Sequence, residues 1–183
     1  MATGALVANM IAEVLVALAG FVFLPEDDAM LILELLSLVS LLICVVVVGM
    51  WIYRTNANAH SFGVEMSITP GWAVGWFFVP LANLVMPFQA MKEVWDESHR
   101  LAGRHEEMES SLIGWWWGLW IASNIAANLP FYPGGDTPAA VDLSHSLQLI
   151  SAGVSVAASV ALILLMRRLD DAQIAASRGS VFA

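Results

Sequence analysis

Two carboxylates stand inside long apolar runs: Glu13 within 4–24 and Glu34 within 29–53. An acid at mid-membrane depth is expensive, about 2.5–3.5 kcal/mol for Asp on insertion scales, so such a residue is a functional candidate. Glu13 could bind a proton or a cation, or could sit as a neutral acid tying helices together through Asn9 or Asn124. Asn9, Ala17 and Gly20 share its helix face and favour the structural version. Glu34 lies about a turn inside its run and can reach headgroups or water. A second group of polar residues surrounds the prolines at 80 and 87: Asn83, Arg54 and Glu93. Asn83 carries both a donor and an acceptor three residues after Pro80, and Arg54 closes the run 29–53. The plain reading makes these two the caps of carbonyls that the prolines set free. The sharper reading makes Arg54, Asn83 and Glu93, with Glu13 deeper in the membrane, the lining of a site for a headgroup or small solute.

The other reactive side chains form no recognised constellation. His60, His99, His105 and His145 contain no HExxH, and the spacing of His99 and His105 points them to different helix faces. His145 falls on the side of the membrane opposite the other three, so no four-histidine metal site is expected, and no histidine lies deep enough in a span for a bis-histidine haem site. There is no GxGxxG, P-loop or nucleophile elbow. The single cysteine, Cys44, has no intrachain disulfide partner. No catalytic residue, metal or cofactor is therefore expected.

The elements that carry these residues are set by composition. Of 183 residues 59% are hydrophobic and 13% charged, and the mean hydropathy is +0.75. A soluble domain needs roughly a quarter of its residues charged, so the solvent here is mostly lipid. The net charge of −9 repels a phosphate backbone and argues against nucleic acid.

Four runs are long enough to cross about 30 Å of hydrocarbon: 4–24, 29–53, 111–129 and 146–166. The stretch 72–88 is short and is broken by Pro80, which removes a backbone bond where no water can replace it. If 72–88 enters and leaves on one side, all seven Lys and Arg share a face and the loops 25–28 and 130–145 hold none. A complete crossing would move only Arg54. Length, proline and charge together favour four transmembrane helices plus a re-entrant or interfacial segment, with both termini cytoplasmic. A signal-peptide reading of the first run is weak, because no Lys or Arg precedes it.

Gly114, Gly118, Ala122 and Ala126 recur every fourth position in 111–129, a stripe that permits close helix packing within the bundle or across a dimer. Trp115, Trp116, Trp117 and Trp120 mark an aromatic belt at its start. Residues 88–109 read as an amphipathic helix along the cytoplasmic interface, with Phe88, Met91 and Trp95 on its apolar stripe. Residues 1–168 form one transmembrane domain, and 169–183 a flexible cytoplasmic tail.

The middle of the chain carries a specific pattern. Trp51 and Arg54 close a span; Asn56 and Asn58 follow; then come Pro70, Trp72, Ala73, Gly75, Trp76, Pro80, Asn83, Leu84, Pro87, Glu93, Trp95 and Ser98. This run resembles the bacterial domain-of-unknown-function 4328 family, and Trp116 and Trp117 fit its tryptophan-rich next span. The region after Arg54 and Trp95 is more acidic than the family pattern. The resemblance implies an all-α, polytopic protein of the bacterial inner membrane with no established activity. Trp72, Trp76 and Trp95 are its expected anchors. Three classes of function follow: a non-enzymatic binding, accessory or sensor module with the bilayer, a membrane protein or a second copy as partner; a small transporter or channel using the Pro80-broken segment; and a lipid-modifying enzyme using His60 or His99. The first is expected.

Overall fold

The computed structural model describes residues 2–19, 28–108, 111–128 and 138–180, and all regular structure among them is helical. The expected acidic turn at Glu26 and Asp27 and most of the loop after Asn128 lie outside the described residues. The helices are α1 (Ala2–Ala19), α2 (Asp28–Ser61), α3 (Pro70–Gly75), α4 (Met86–Leu101), α5 (His105–Met108), α6 (Leu112–Asn128) and α7 (Pro138–Ser180). By length and composition three are able to cross a membrane: α1, α2, and the part of α7 at Ser146–Arg178. The 17 residues of α6 reach about 25 Å, short of the hydrocarbon thickness.

The apolar part of α2 is covered little by the chain itself: Leu35, Leu36, Leu42 and Val46 are each more than half exposed. In water this would be an aggregation surface; in lipid it is the ordinary outer face of a span. With 34 residues, α2 is about 50 Å long and outruns the bilayer, so its last turns, polar from Arg54, extend past the apolar zone.

The chain forms two compact units. The first comprises Met1–Val47 and Gly118–Val160; the second comprises Val48–Trp117 and Ala161–Ala183. All seven cations, at 54, 92, 100, 104, 167, 168 and 178, fall in the second. Its core is built from Ile52 and Ala59 of α2, Ala73 of α3, Met91, Val94 and Trp95 of α4, Trp116 and Trp117 of α6, and Leu165, Leu169, Ala172 and Ala176 of α7.

Three elements differ from expectation. Where a flexible tail is expected from residue 169, α7 continues as helix to Ser180, because Leu165, Leu169, Ala172 and Ala176 prolong a buried stripe at helical spacing. The helix expected over 88–109 stops at Leu101 in a Schellman motif: Gly103 takes φ 70°, its N–H donates to Arg100 O at 3.1 Å, and Arg104 N–H donates to His99 O at 2.9 Å. The tryptophans at the start of α6 also divide. Trp115 is exposed as a belt residue would be, while Trp116 and Trp117 are core.

The segment around Pro80 is a chain of short turns rather than one broken helix. After α3 come a 3₁₀ turn at Trp76–Phe78, a bend, and a second 3₁₀ turn at Ala82–Leu84. Pro80 O accepts from Ala82 N–H at 2.8 Å across Leu81, which holds φ 65° and ψ −44°. That is a γ-turn of the strained, positive-φ kind. Pro87 sits in the first turn of α4, where its missing N–H is no loss.

Candidate functional site

At the polar end of α2 the second unit buries side chains that lipid-facing helices ordinarily avoid. Thr55, Asn56, Ser98, His99 and Gln173 are all buried, Asn56, Ser98 and His99 with no exposed surface. They come from three helices, α2, α4 and α7, each of which places polar residues at positions of its otherwise apolar stripe. Gln173 is the hub. Its Nε2 donates to Thr55 O at 2.8 Å and to Ser98 Oγ at 3.2 Å, while its Oε1 accepts from Asn58 Nδ2 at 3.2 Å. A turn away, Trp51 Nε1 donates to Asp170 Oδ1 at 3.1 Å, so α2 and α7 are joined by bonds at two successive levels. A satisfied buried network of this kind fixes register more sharply than apolar contact does.

Two histidines are held by carbonyls of their own helices. His99 Nδ1 lies 2.8 Å from Trp95 O and His60 Nδ1 lies 3.0 Å from Asn56 O. Because a carbonyl only accepts, the neutral rings carry their proton on Nδ1. The His99 ring also stacks on Trp95, with centroids 4.1 Å apart. Asn56 differs from its neighbours: neither its Oδ1 nor its Nδ2 has a hydrogen-bond partner among the described residues. Asp170 lies beyond the apolar stretch of α7. Partial burial pushes its carboxyl up, the Trp51 hydrogen bond pulls the other way, and Asp171 pushes up again.

The residues expected from sequence are placed as follows. Glu93 clasps the loop that precedes α3: one oxygen accepts from Ser67 N–H, and the other accepts from Ser67 Oγ at 3.0 Å and Ile68 N–H at 3.3 Å. It also borders an open depression of about 350 Å³ with Ser67, Gln89, Lys92, Asp96 and Glu97. Arg54 is exposed and forms no hydrogen bond or ion pair among the described residues. Asn83 is half-buried, and its side chain forms no hydrogen bond among the described residues. The geometry therefore joins neither Arg54 nor Asn83 to Glu93 by a bond. Glu13 belongs to the first unit, half-buried on α1, and accepts from Asn9 Nδ2 at 2.7 Å.

Carbonyls of the turns around the two prolines are satisfied by other means than the expected side chains. Val79 O accepts from Asn83 N–H at 2.9 Å, Leu81 O from Leu84 N–H at 3.2 Å, and Val85 O from Gln89 N–H at 3.1 Å. Leu84 O accepts from the indole of Trp117 at 3.1 Å. Trp117 is also the centre of an aromatic cluster, with Phe77, Phe88 and Trp116 at 6.3, 6.5 and 5.4 Å. Trp72 and Trp76 pair at 4.6 Å, and Trp95 is wholly buried. A Cβ built on Gly114 or Gly118 would meet nothing within 4 Å, so the small-residue stripe is open where the structure describes it.

Sequence reasoning overlooked Thr55 and Gln173, weighed His99 only as a base for lipid chemistry, and quoted Asn56, Asn58 and Ser98 only as part of a pattern. The available signal was one polar residue set into each of three apolar stripes: Asn56 beside Ile52 and Ala59, Ser98 beside Val94 and Trp95, Gln173 between Leu169 and Ala176. Among the described residues no group of three or more His, Cys, Asp or Glu is arranged to hold a metal ion.

Comparison with known proteins adds one finding. The family model described as a domain of unknown function, DUF4328, matches residues 17–171. No curated protein and no solved structure matches the chain.

Proposed function

The chain belongs to the DUF4328 family, and from that premise we propose that it is a non-enzymatic, multi-pass protein of the bacterial inner membrane, acting as a binding, accessory or sensor module. The observation that carries this reading is the use made of the polar residues. Trp51, Asn58, Glu93 and Ser98 engage one another's helices and loops instead of converging on a point where a substrate could react. His99, a candidate base for lipid chemistry, is sealed under Trp95. The Pro80 segment, the basis of a pore reading, has Pro80 O, Leu81 O and Leu84 O turned inward to donors of the chain, which leaves those carbonyls poor ligands for a passing ion.

The topology that goes with this function has four spans, 72–88 as a re-entrant or interfacial segment, and both termini in the cytoplasm. The confinement of every cation to the second unit supports it. In that arrangement Glu93 and the depression beside it face the cytoplasm and offer the surface on which a membrane protein partner is received. Arg54 and Asn83 belong to the same unit, and Glu13 accepts from Asn9 within α1.

Affinity purification in mild detergent, followed by identification of stoichiometric partners, tests the reading. A defined membrane protein that co-purifies with the parent and is lost from Glu93→Ala, with the variant still folded, supports it. Turnover of a phospholipid by the purified chain that disappears with His60→Ala would replace it with the enzymatic reading.

A further inference from the structure

The cations of the second unit divide into two kinds. Those on α4 are neutralised within their own helix: Lys92 Nζ lies 2.8 Å from Asp96 and Arg100 lies 2.7 Å from Glu97. Arg54, Arg167 and Arg168 are exposed and form no ion pair among the described residues, in a chain whose net charge is −9. With so many carboxylates available, exposed guanidinium groups left without one are open to an anion from outside the chain.

Their placement says which. The Trp51–Asp170 hydrogen bond brings α2 and α7 together at one level. Arg54 follows Trp51 by three residues on α2 and Arg167 precedes Asp170 by three on α7, so each stands one turn from that bond and near its side of its helix, whereas Arg168, two residues before Asp170, falls on the far face of α7. All three stand where apolar stretches end: Met50 and Tyr53, each half exposed, lead up α2 to Arg54, and Leu164 leads up α7 to Arg167 and Arg168. Exposed apolar surface below and unpaired guanidinium above is the profile of a phospholipid, with acyl chains along the helices and the phosphate at the arginines. Arg is suited to this because its planar fork meets two phosphate oxygens at once. Asp170, which follows, is turned onto the Trp51 indole; Asp171 is exposed and sets a limit to how much negative charge the site accepts.

We propose that Arg54 and Arg167 form a binding site for the phosphate of an anionic phospholipid at the junction of α2 and α7. The proposal rests on the reading of these helices as membrane spans, not on the choice between binding module, transporter and enzyme.

The test uses the full chain purified in an uncharged detergent, with thermal unfolding as the readout. Phosphatidylglycerol is added in mixed micelles, against phosphatidylcholine and against inorganic phosphate. The expected result is a rise in Tm with phosphatidylglycerol alone, diminished at high salt, and an apparent lipid affinity that falls about fivefold for Arg54→Gln and for Arg167→Gln, the weight of one juxtamembrane cation. Arg100→Gln, which removes an internally paired cation, is expected to leave the affinity unchanged. An equal response to phosphatidylcholine, or an undiminished response in Arg54→Gln/Arg167→Gln, overturns the proposal. A shift with inorganic phosphate alone overturns it in favour of a soluble anion. Should the double variant not fold, native mass spectrometry of the parent decides: retention of phosphatidylglycerol no greater than that of phosphatidylcholine rejects the site. Failure of the chain to enter vesicles at all would instead reject the membrane reading beneath it.

Discussion

Gln173 uses both ends of its amide across three helices, whereas Asn56, on the same buried level, has neither end bonded within the chain. These two amides are expected to respond oppositely to removal. Gln173→Leu leaves Asn58, Thr55 O and Ser98 without their partner and should lower stability by about 1–3 kcal/mol; Asn56→Leu relieves a buried amide of its desolvation penalty and should raise stability by a similar amount. Thermal unfolding in detergent gives both signs, and a loss in the second variant would show that Asn56 is bonded to something the chain does not supply. On α1, Glu13→Gln preserves a partner for Asn9, while Glu13→Lys carries a charge into an apolar run. The first should fold with parental yield and the second should not. Asp170 supplies a pH test. Its carboxyl is raised, so the folded chain holds that proton more tightly than the unfolded one, and stability should decline as pH climbs from the ordinary carboxylate range through the raised value. Asp170→Asn keeps an acceptor for Trp51 and removes that slope; comparing Tm at about pH 4 and about pH 7 measures it.

Among the elements, the Pro80 segment shows what a pattern of residues can and cannot say. Proline marks where a helical ladder must stop, and the structure does stop there. What proline does not say is where the freed carbonyls go. Asn83, chosen for proximity, forms no side-chain bond, and Trp117, 33 residues away from Leu84, supplies the donor instead. Asn83→Leu should therefore leave stability nearly unchanged, while Trp117→Phe should lower it by about 1–3 kcal/mol by orphaning a carbonyl. Unfolding midpoints for the pair separate the two accounts, and a larger loss for the asparagine variant would contradict the observed bonding. Leu81, four-fifths exposed and held at positive φ, offers a third handle: Leu81→Gly should be neutral or stabilising and Leu81→Val destabilising. The length of α7 was hidden for a related reason. Arg167, Arg168, Asp170 and Asp171 look like the end of a span, and they mask the stripe Leu165, Leu169, Ala172 and Ala176 that carries the helix onward. Hydropathy reports where lipid stops, not where packing stops.

On the scale of the molecule, helical class and membrane residence were legible because they follow from composition and run length. The buried polar layer was not, because its bonds join residues 75 to 119 positions apart. The proposed placement of both termini in the cytoplasm predicts the outcome of labelling in intact cells: with Cys44→Ser as background, Thr3→Cys and Ser180→Cys should react only after the inner membrane is opened. Labelling of either from outside would sink the proposed orientation. The separation of the bonded partners has a consequence for how the protein is made. Asn58 and Gln173 are 115 residues apart, so at ordinary rates of translation about ten seconds pass between the synthesis of one and the arrival of the other. Through that interval Asn58 and Ser98 stand without the Gln173 amide, which arrives only with α7. A message cut short after Arg168 would yield a chain with all its apolar runs but no Gln173, inserted yet unlatched, and open to the proteases that patrol the membrane for unfinished work.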